Sequence, residues 1–356
     1  MKKHLSLLLA ILMLFSLTAC GGSTTSSAPA SGAASDAAAP APSAAAGETY
    51  NLRFAYTLAT DHDLSIAFES FAKLVDERTN GAVTITTYPA GQLGTQPENL
   101  ESVKLGSLDM CYADTSMLVT YVPQYSLINL PWLITSFDVA DELFYGSDII
   151  DNINAELHSK MNMTSLGWLY QGFRAFCTTK PLTSMADCKG VKLRSPEVDL
   201  YLDTFNIMGF NPTVITWTEA YTAMQSGVVD GVDTIKSSIY SYGFYEIGKY
   251  IWNSNHMFSS VGIVVNNDVF EGLPSEYQEA VQTAWNETIE WFNNDVKKLD
   301  ADYKELYEPV GATVTYTADE GEFRDAFHDY WYKSAETNGF KDGLDALMKI
   351  VEKHAA

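Results

Sequence analysis

The chain has 356 residues, of which 46% are hydrophobic and 19% charged, and a formal net charge of −23. Acidity of that size argues against nucleic acid as a partner, because a phosphate backbone needs a basic surface. The length exceeds what one hydrophobic core usually holds, so two domains are expected.

The first stretch, "MKKHLSLLLAILMLFSLTAC", carries Lys2 and Lys3, an apolar run from Leu5 to Leu17, and small residues before Cys20. Residues 1–19 read as a secretory signal, too short for a typical membrane span of ~20 apolar residues. Leu17-Thr18-Ala19-Cys20 resembles the bacterial lipobox, which implies a lipidated Cys20 as the mature amino terminus. Loss of Lys2 and Lys3 with the signal takes the charge from −23 to −25. Residues 21–47 hold no large apolar side chain, and 20–47 read as a lipidated cysteine followed by a flexible Ala/Ser/Pro tether. Lipid, tether and exported body describe a protein held at a membrane surface and working outside the membrane. Cys111, Cys177 and Cys188 show no CxxC or zinc-type spacing, and Cys177 and Cys188 either pair or stay free.

The body opens with "YNLRFAYTL", a strand by its alternation. In "DLSIAFESFAKLVDERTNG", Leu64, Ala67, Phe68, Phe71, Leu74 and Val75 form a helical stripe ended by Asn80-Gly81. "AVTITTYPAGQLG" reads as a strand, "QPENLESVKLG" as a helix and "SLDMCYAD" as a strand, the pattern of a parallel sheet with crossover helices. The plan restarts with strands "TSLGWLYQGFRAFCTT" and "GVKLRS", helix "VDLYLDTFNIMGF", strand "NPTVIT", and helix "TEAYTAMQSGVV" leading into "DGVDT". From Pro274 to about Glu308 no glycine and no internal proline interrupt a helix of more than thirty residues, or two with a slight break at Asn293-Asn294. Two helices, roughly 319–337 and 342–354, close the chain.

"DCKGVKLRSP" and "MGFNPTVITWTEAYTAMQSGVVDGVDT" resemble the solute-binding proteins of tripartite ATP-independent periplasmic (TRAP) transporters, the DctP-like family. Asp187, Lys189, Gly190, Arg194, Gly209, Pro212, Trp217, Glu219, Tyr221, Ala223, Gln225, Gly227, Asp230 and Gly231 carry the likeness. Phe210 and Met224 stand where alanine and leucine are usual. "TNGAVTITTYPAGQLGTQPENLESVKLGSLDM" and "LINLPWL" resemble its first-lobe segments. The resemblance implies an α/β, two-lobed periplasmic-binding-protein-like fold with a long helix spanning both lobes. Lobe I is expected at 48–170 with 260–300 returning, and lobe II at 171–259 with 301–356 returning. It also implies a small organic acid as ligand and TRAP membrane permease subunits as partners. A monomer, no cofactor and no catalytic residue complete the expectation.

The site expected from this resemblance centres on Arg194, whose planar guanidinium can return the desolvation cost of a carboxylate as two parallel hydrogen bonds. Lysine lacks that fork, and Lys192, two residues earlier on the same face, reads as a surface residue. Arg174 aligns with a second family arginine, and Trp217 with an aromatic that can cover the ligand's carbon skeleton. Thr234 stands where many relatives have asparagine, and Asp233 beside it is counted with the site. Thr57, Gln96 and Asp114 are the first-lobe candidates. Enzyme readings are weaker: Ser70 and Lys73 form an S-x-x-K without an accompanying K-T-G, on the flank of an ordinary helix. His4, His62, His158, His256, His328 and His354 show no metal spacing. A binding protein feeding a sensor or receptor is the nearer alternative, and a cell-wall hydrolytic lipoprotein the distant one.

Overall fold

The computed structural model describes residues 48–300 and 303–354. The signal, Cys20 and the tether expected over 1–47 lie outside the described residues. Ten strands are present among these: β1 Tyr50–Ala55, β2 Val83–Tyr88, β3 Met110–Asp114, β4 Met163–Thr178, β5 Lys192–Ser195, β6 Asn211–Val214, β7 Gly231–Ile235, β8 Tyr250–Asn253, β9 Phe258–Asn266 and β10 Thr313–Tyr316. Their order is β2-β1-β3-β9-β4-β7-β5-β6, with β8 and β10 continuing from a separate edge of β4.

The two halves of the sheet are each parallel where the sequence pattern places crossover helices: β1 with β2 and β3, and β5 with β6 and β7. They are joined by antiparallel strands. β9 pairs with β3 and with the first part of β4, and the last part of β4 pairs with β7 and β8. The sequence reading assigns no strand to 250–266. All nine residues of β9 are buried, so a central strand covered on both faces shows no polar alternation to reveal it.

Local chemistry sets the helix ends. In the helix Asp63–Arg78 the His62 side chain accepts the Leu64 N–H at the amino end, while Leu64, Ala67, Phe68, Phe71 and Val75 bury the predicted stripe. Asn80 and Gly81 then turn the chain through the left-handed region, at φ 50° and 79°. The long helix is described over Ser275–Asp300, 26 residues and ~39 Å at 1.5 Å per residue. A further helical stretch is described over Tyr303–Tyr307. No break occurs at Asn293, because the Tyr170 N–H donates to its Oδ1 at 2.6 Å and its Nδ2 donates to the Tyr145 hydroxyl at 3.0 Å.

That helix lies along β4 and along the helix Asp63–Arg78. Trp285 packs on Phe68 and Phe71 and donates to the Gly167 carbonyl at 3.1 Å. Gly167 has φ +119°, and a Cβ there would lie 2.9 Å from Ile289, so the bulge in β4 needs glycine to approach the helix. At its far end Asp300 accepts from Lys236 of the second half at 2.8 Å. The helix thus braces both lobes. Cys111, Cys177 and Cys188 are free and buried.

Candidate functional site

Parallel strands that end in one crevice bring their following residues together, which is where open α/β sheets place ligands. Thr57 follows β1, Asp114 ends β3, Arg194 lies near the end of β5, Trp217 follows β6 and Thr234 lies near the end of β7. Gln96 opens the helix Gln96–Lys104 that precedes β3. These six and Arg174 line one cavity of about 300 Å³ between the two halves of the sheet. Two hydrogen bonds also cross between the halves: His62 Nε2 with Ser238 Oγ at 3.1 Å, and the Ala59 N–H to the Tyr242 hydroxyl at 3.2 Å.

Arg194 is only 6% exposed, although the side chain of its strand neighbour Lys192 is 45% exposed and donates to the Gly227 carbonyl. The Arg194 Nε donates to the Ile215 carbonyl at 2.8 Å, and its guanidinium carbon sits 5.5 Å from the centre of the Trp217 ring. Trp217 is held edge-on by Tyr242 at 5.0 Å. Among the described residues Arg194 makes no ion pair, so its outer nitrogens are left for a ligand. Burial, and then the like charge of Arg174, pull it down to about 10, and it stays charged at neutral pH.

Arg174 differs in having its own counter-ion. Its Nε reaches both Asp233 carboxylate oxygens at 3.0 Å, and its Nη2 reaches Asp233 Oδ2 at 2.7 Å and the Asp233 carbonyl at 3.0 Å. Burial opposes charge on both partners, but the pairing outweighs it: Arg174 is raised and Asp233 is held at about 2, with His256 also contributing. His256 lies 3.0 Å from Asp233 Oδ1 and stacks on Phe176 at 4.2 Å; burial lowers it below its ordinary value. Asp233 is therefore behind the cavity wall, gripping Arg174, and is absent from the lining.

On the first-lobe side, Asp114 Oδ2 accepts from Gln96 Nε2 at 3.0 Å, and the Thr57 and Tyr112 hydroxyls pair at 2.7 Å. Burial raises the Asp114 carboxyl, opposed by Gln96 and the two arginines. The sequence reading missed Tyr112, Gln171 and Tyr201, all of which line the cavity. Tyr112 is two residues before Asp114 on the same strand, so alternation alone points it the same way. Gln171 sits at a bulge between Tyr170 and Gly172, which alternation does not register. Tyr201 lies beneath Arg174, 5.1 Å from its guanidinium carbon.

A cavity closed by two α/β lobes, with a buried guanidinium facing it, defines a protein that captures an anionic solute. The chain belongs to the family of bacterial extracellular solute-binding proteins, family 7 (DctP), whose model matches residues 54–338. It is 28% identical over 277 residues to the sialic acid-binding periplasmic protein SiaP of Vibrio cholerae, covering 77% of this chain and 85% of that one. It is 26% identical over 270 residues to the C4-dicarboxylate-binding periplasmic protein DctP of Rhodobacter capsulatus, covering 76% and 80%. A solved TRAP periplasmic solute-binding protein from Sulfitobacter, with bound β-D-galacturonate, superimposes with a TM-score of 0.78 at 26% identity, over 85% of this chain and 99% of that one. Membership makes this a binding protein and not an enzyme. The S-x-x-K pair lies on the helix Asp63–Arg78, where Lys73 faces solvent beside Glu77. No described helix is long and apolar enough to cross a membrane.

Proposed function

We propose that the chain captures one small organic acid in the cavity, holds its carboxylate on Arg194 and delivers it to a TRAP permease. The observation that carries this reading is Arg194 itself: a buried cation without a counter-charge costs several kcal/mol, and a bound carboxylate would offset that cost. Arg174 supplies further donors, the Trp217 ring covers the carbon skeleton, and Thr234, Thr57, Gln96 and Asp114 contact polar groups. Asp233 acts through Arg174. The relatives that bind sialic acid, C4-dicarboxylates and galacturonate support the ligand class.

A thermal-shift screen of the body from residue 48 onward against organic acids tests it. An acid at a hundred times its dissociation constant adds ~2.7 kcal/mol to stability, easily seen as a rise in melting temperature. Failure of every carboxylate to raise it, with neutral sugars active instead, would exclude the reading.

The protein is further proposed to be a monomer anchored by lipid at Cys20, after removal of 1–19, with 20–47 as tether. Cys20→Ala should move it from the membrane fraction to the soluble one while leaving ligand affinity unchanged; retention of that variant in the membrane overturns the lipid anchor. The lobe boundaries proposed are 48–170 with 260–300, and 171–259 with 301–356. The last segment rests on both lobes, since β10 pairs with β8 while the helix Lys341–His354 packs on the helices Phe137–Tyr145 and Ile149–Met161.

A further inference from the structure

Four charged side chains line the cavity: Asp114, Arg174, Arg194 and Glu197, the last at an exposed position. Arg174 is already neutralised by the Asp233 carboxylate, through three contacts of 2.7–3.0 Å. That leaves Arg194 as the one cation lining the cavity, among the described residues, that has no carboxylate partner. One ligand carboxylate satisfies it. A second would find no free cation and would share a confined space with the Asp114 carboxylate, where like charges repel strongly.

Asp114 is also an acceptor with unused capacity. It stands at the N-cap of the short helix Thr115–Leu118 yet makes no capping bond, so its carboxylate is not committed to the backbone. Its Oδ2 takes one hydrogen bond from Gln96, and Oδ1 takes none among the described residues. An ionised carboxylate has about four acceptor positions, so this wall of the cavity asks for hydrogen-bond donors. The neighbouring Thr57 and Tyr112 hydroxyls are bonded to each other.

We infer that Asp114 makes this cavity selective for monocarboxylates whose far end carries hydroxyl or ammonium donors, and that it turns dicarboxylates away. The inference rests on the organic-acid reading above and divides that class in two. It separates the chain from the dicarboxylate-binding relatives to which it is about as similar as to the sugar-acid ones.

The test uses ligands matched carbon for carbon. Six-carbon aldonates and the corresponding aldarates differ only in a terminal CH₂OH against a carboxylate, and 6-aminohexanoate with adipate repeats the comparison with an ammonium. Calorimetry at neutral pH should show the wild-type protein binding the monocarboxylate of a pair at least about tenfold more tightly. The pair with the larger ratio tells hydroxyl from ammonium. Asp114→Asn, which keeps size and removes charge, should weaken the monocarboxylate about tenfold and narrow the ratio. Equal or tighter binding of the dicarboxylate by the wild-type protein overturns the inference and leaves the organic-acid reading standing. So does an unchanged ratio in an Asp114→Asn protein that melts like the wild type. If that variant does not fold, the wild-type ratios decide alone. If neither member of any pair binds, this inference falls, because its preferred ligands are among them, and the thermal-shift screen decides the organic-acid reading separately.

Discussion

Replacement of Arg194 by lysine is expected to weaken binding of the organic acid by about 30- to 1000-fold, or about 2–4 kcal/mol, although the formal charge is kept. The loss has two sources. The Nε–H bond to the Ile215 carbonyl fixes the guanidinium plane, and lysine has no nitrogen at that position. The two outer nitrogens can then meet both oxygens of a carboxylate, whereas an ammonium offers a single point. Lys192→Ala is the matched control. Its ammonium lies at the opposite end of β5, bonded to the Gly227 carbonyl in solvent, so affinity should change by under about 0.5 kcal/mol. Calorimetry with the acid found by thermal shift checks both. Equal affinities for Arg194→Lys and wild type would reduce Arg194 to a strand residue that happens to be covered.

The contrast between Arg194 and Lys192 shows what a sequence reveals and what it hides. Both were legible as same-face residues of a short strand, and the proline after Ser195 marked where the strand stops. Thr57, Asp114, Trp217 and Thr234 came from the family resemblance instead, and the fold supplies the physical reason they gather, since each follows or ends a parallel strand at the cavity. Alternation also carried a warning about Asp233: it is adjacent to Thr234 on β7, so it faces the opposite side and shares that side with Arg174 of β4. Gln171 was hidden for a different reason, since the bulge beside it breaks the two-residue period. β9 was hidden because burial on both faces removes the period altogether. The continuity of the long helix through Asn293-Asn294 depends on Tyr145 and Tyr170, which are more than a hundred residues away in sequence. Local propensity cannot register partners that distant.

Loss of the Asp233 carboxylate should be the most destabilising single change in the site. Asp233→Asn leaves the Arg174 guanidinium buried without its counter-ion, a class of change that costs about 3–5 kcal/mol, or roughly 10 °C of melting temperature in a body of this size. The pH dependence follows with a definite sign. Asp233 is held at about 2 when folded, below its ordinary unfolded value of ~3.9, so its contribution is full above that value and is lost as pH falls through 4 toward 2. By the linkage relation that contribution is about 2–3 kcal/mol. His256 acts in the same direction at higher pH: burial lowers it, the unfolded chain takes up the proton first, and stability declines as pH falls below ~6.5. Melting curves of the ligand-free protein between neutral pH and pH 3 should therefore slope downward with acid, and Asp233→Asn should flatten the lower part of that slope. Arg174→Met combined with Asp233→Leu removes both charges, and should recover most of the stability lost by the single variant, because neither member of the pair is then left buried without the other. A single variant that melts within a degree or two of wild type, or a double variant no better than the single, would mean that the Arg174–Asp233 pair does not hold this wall of the cavity.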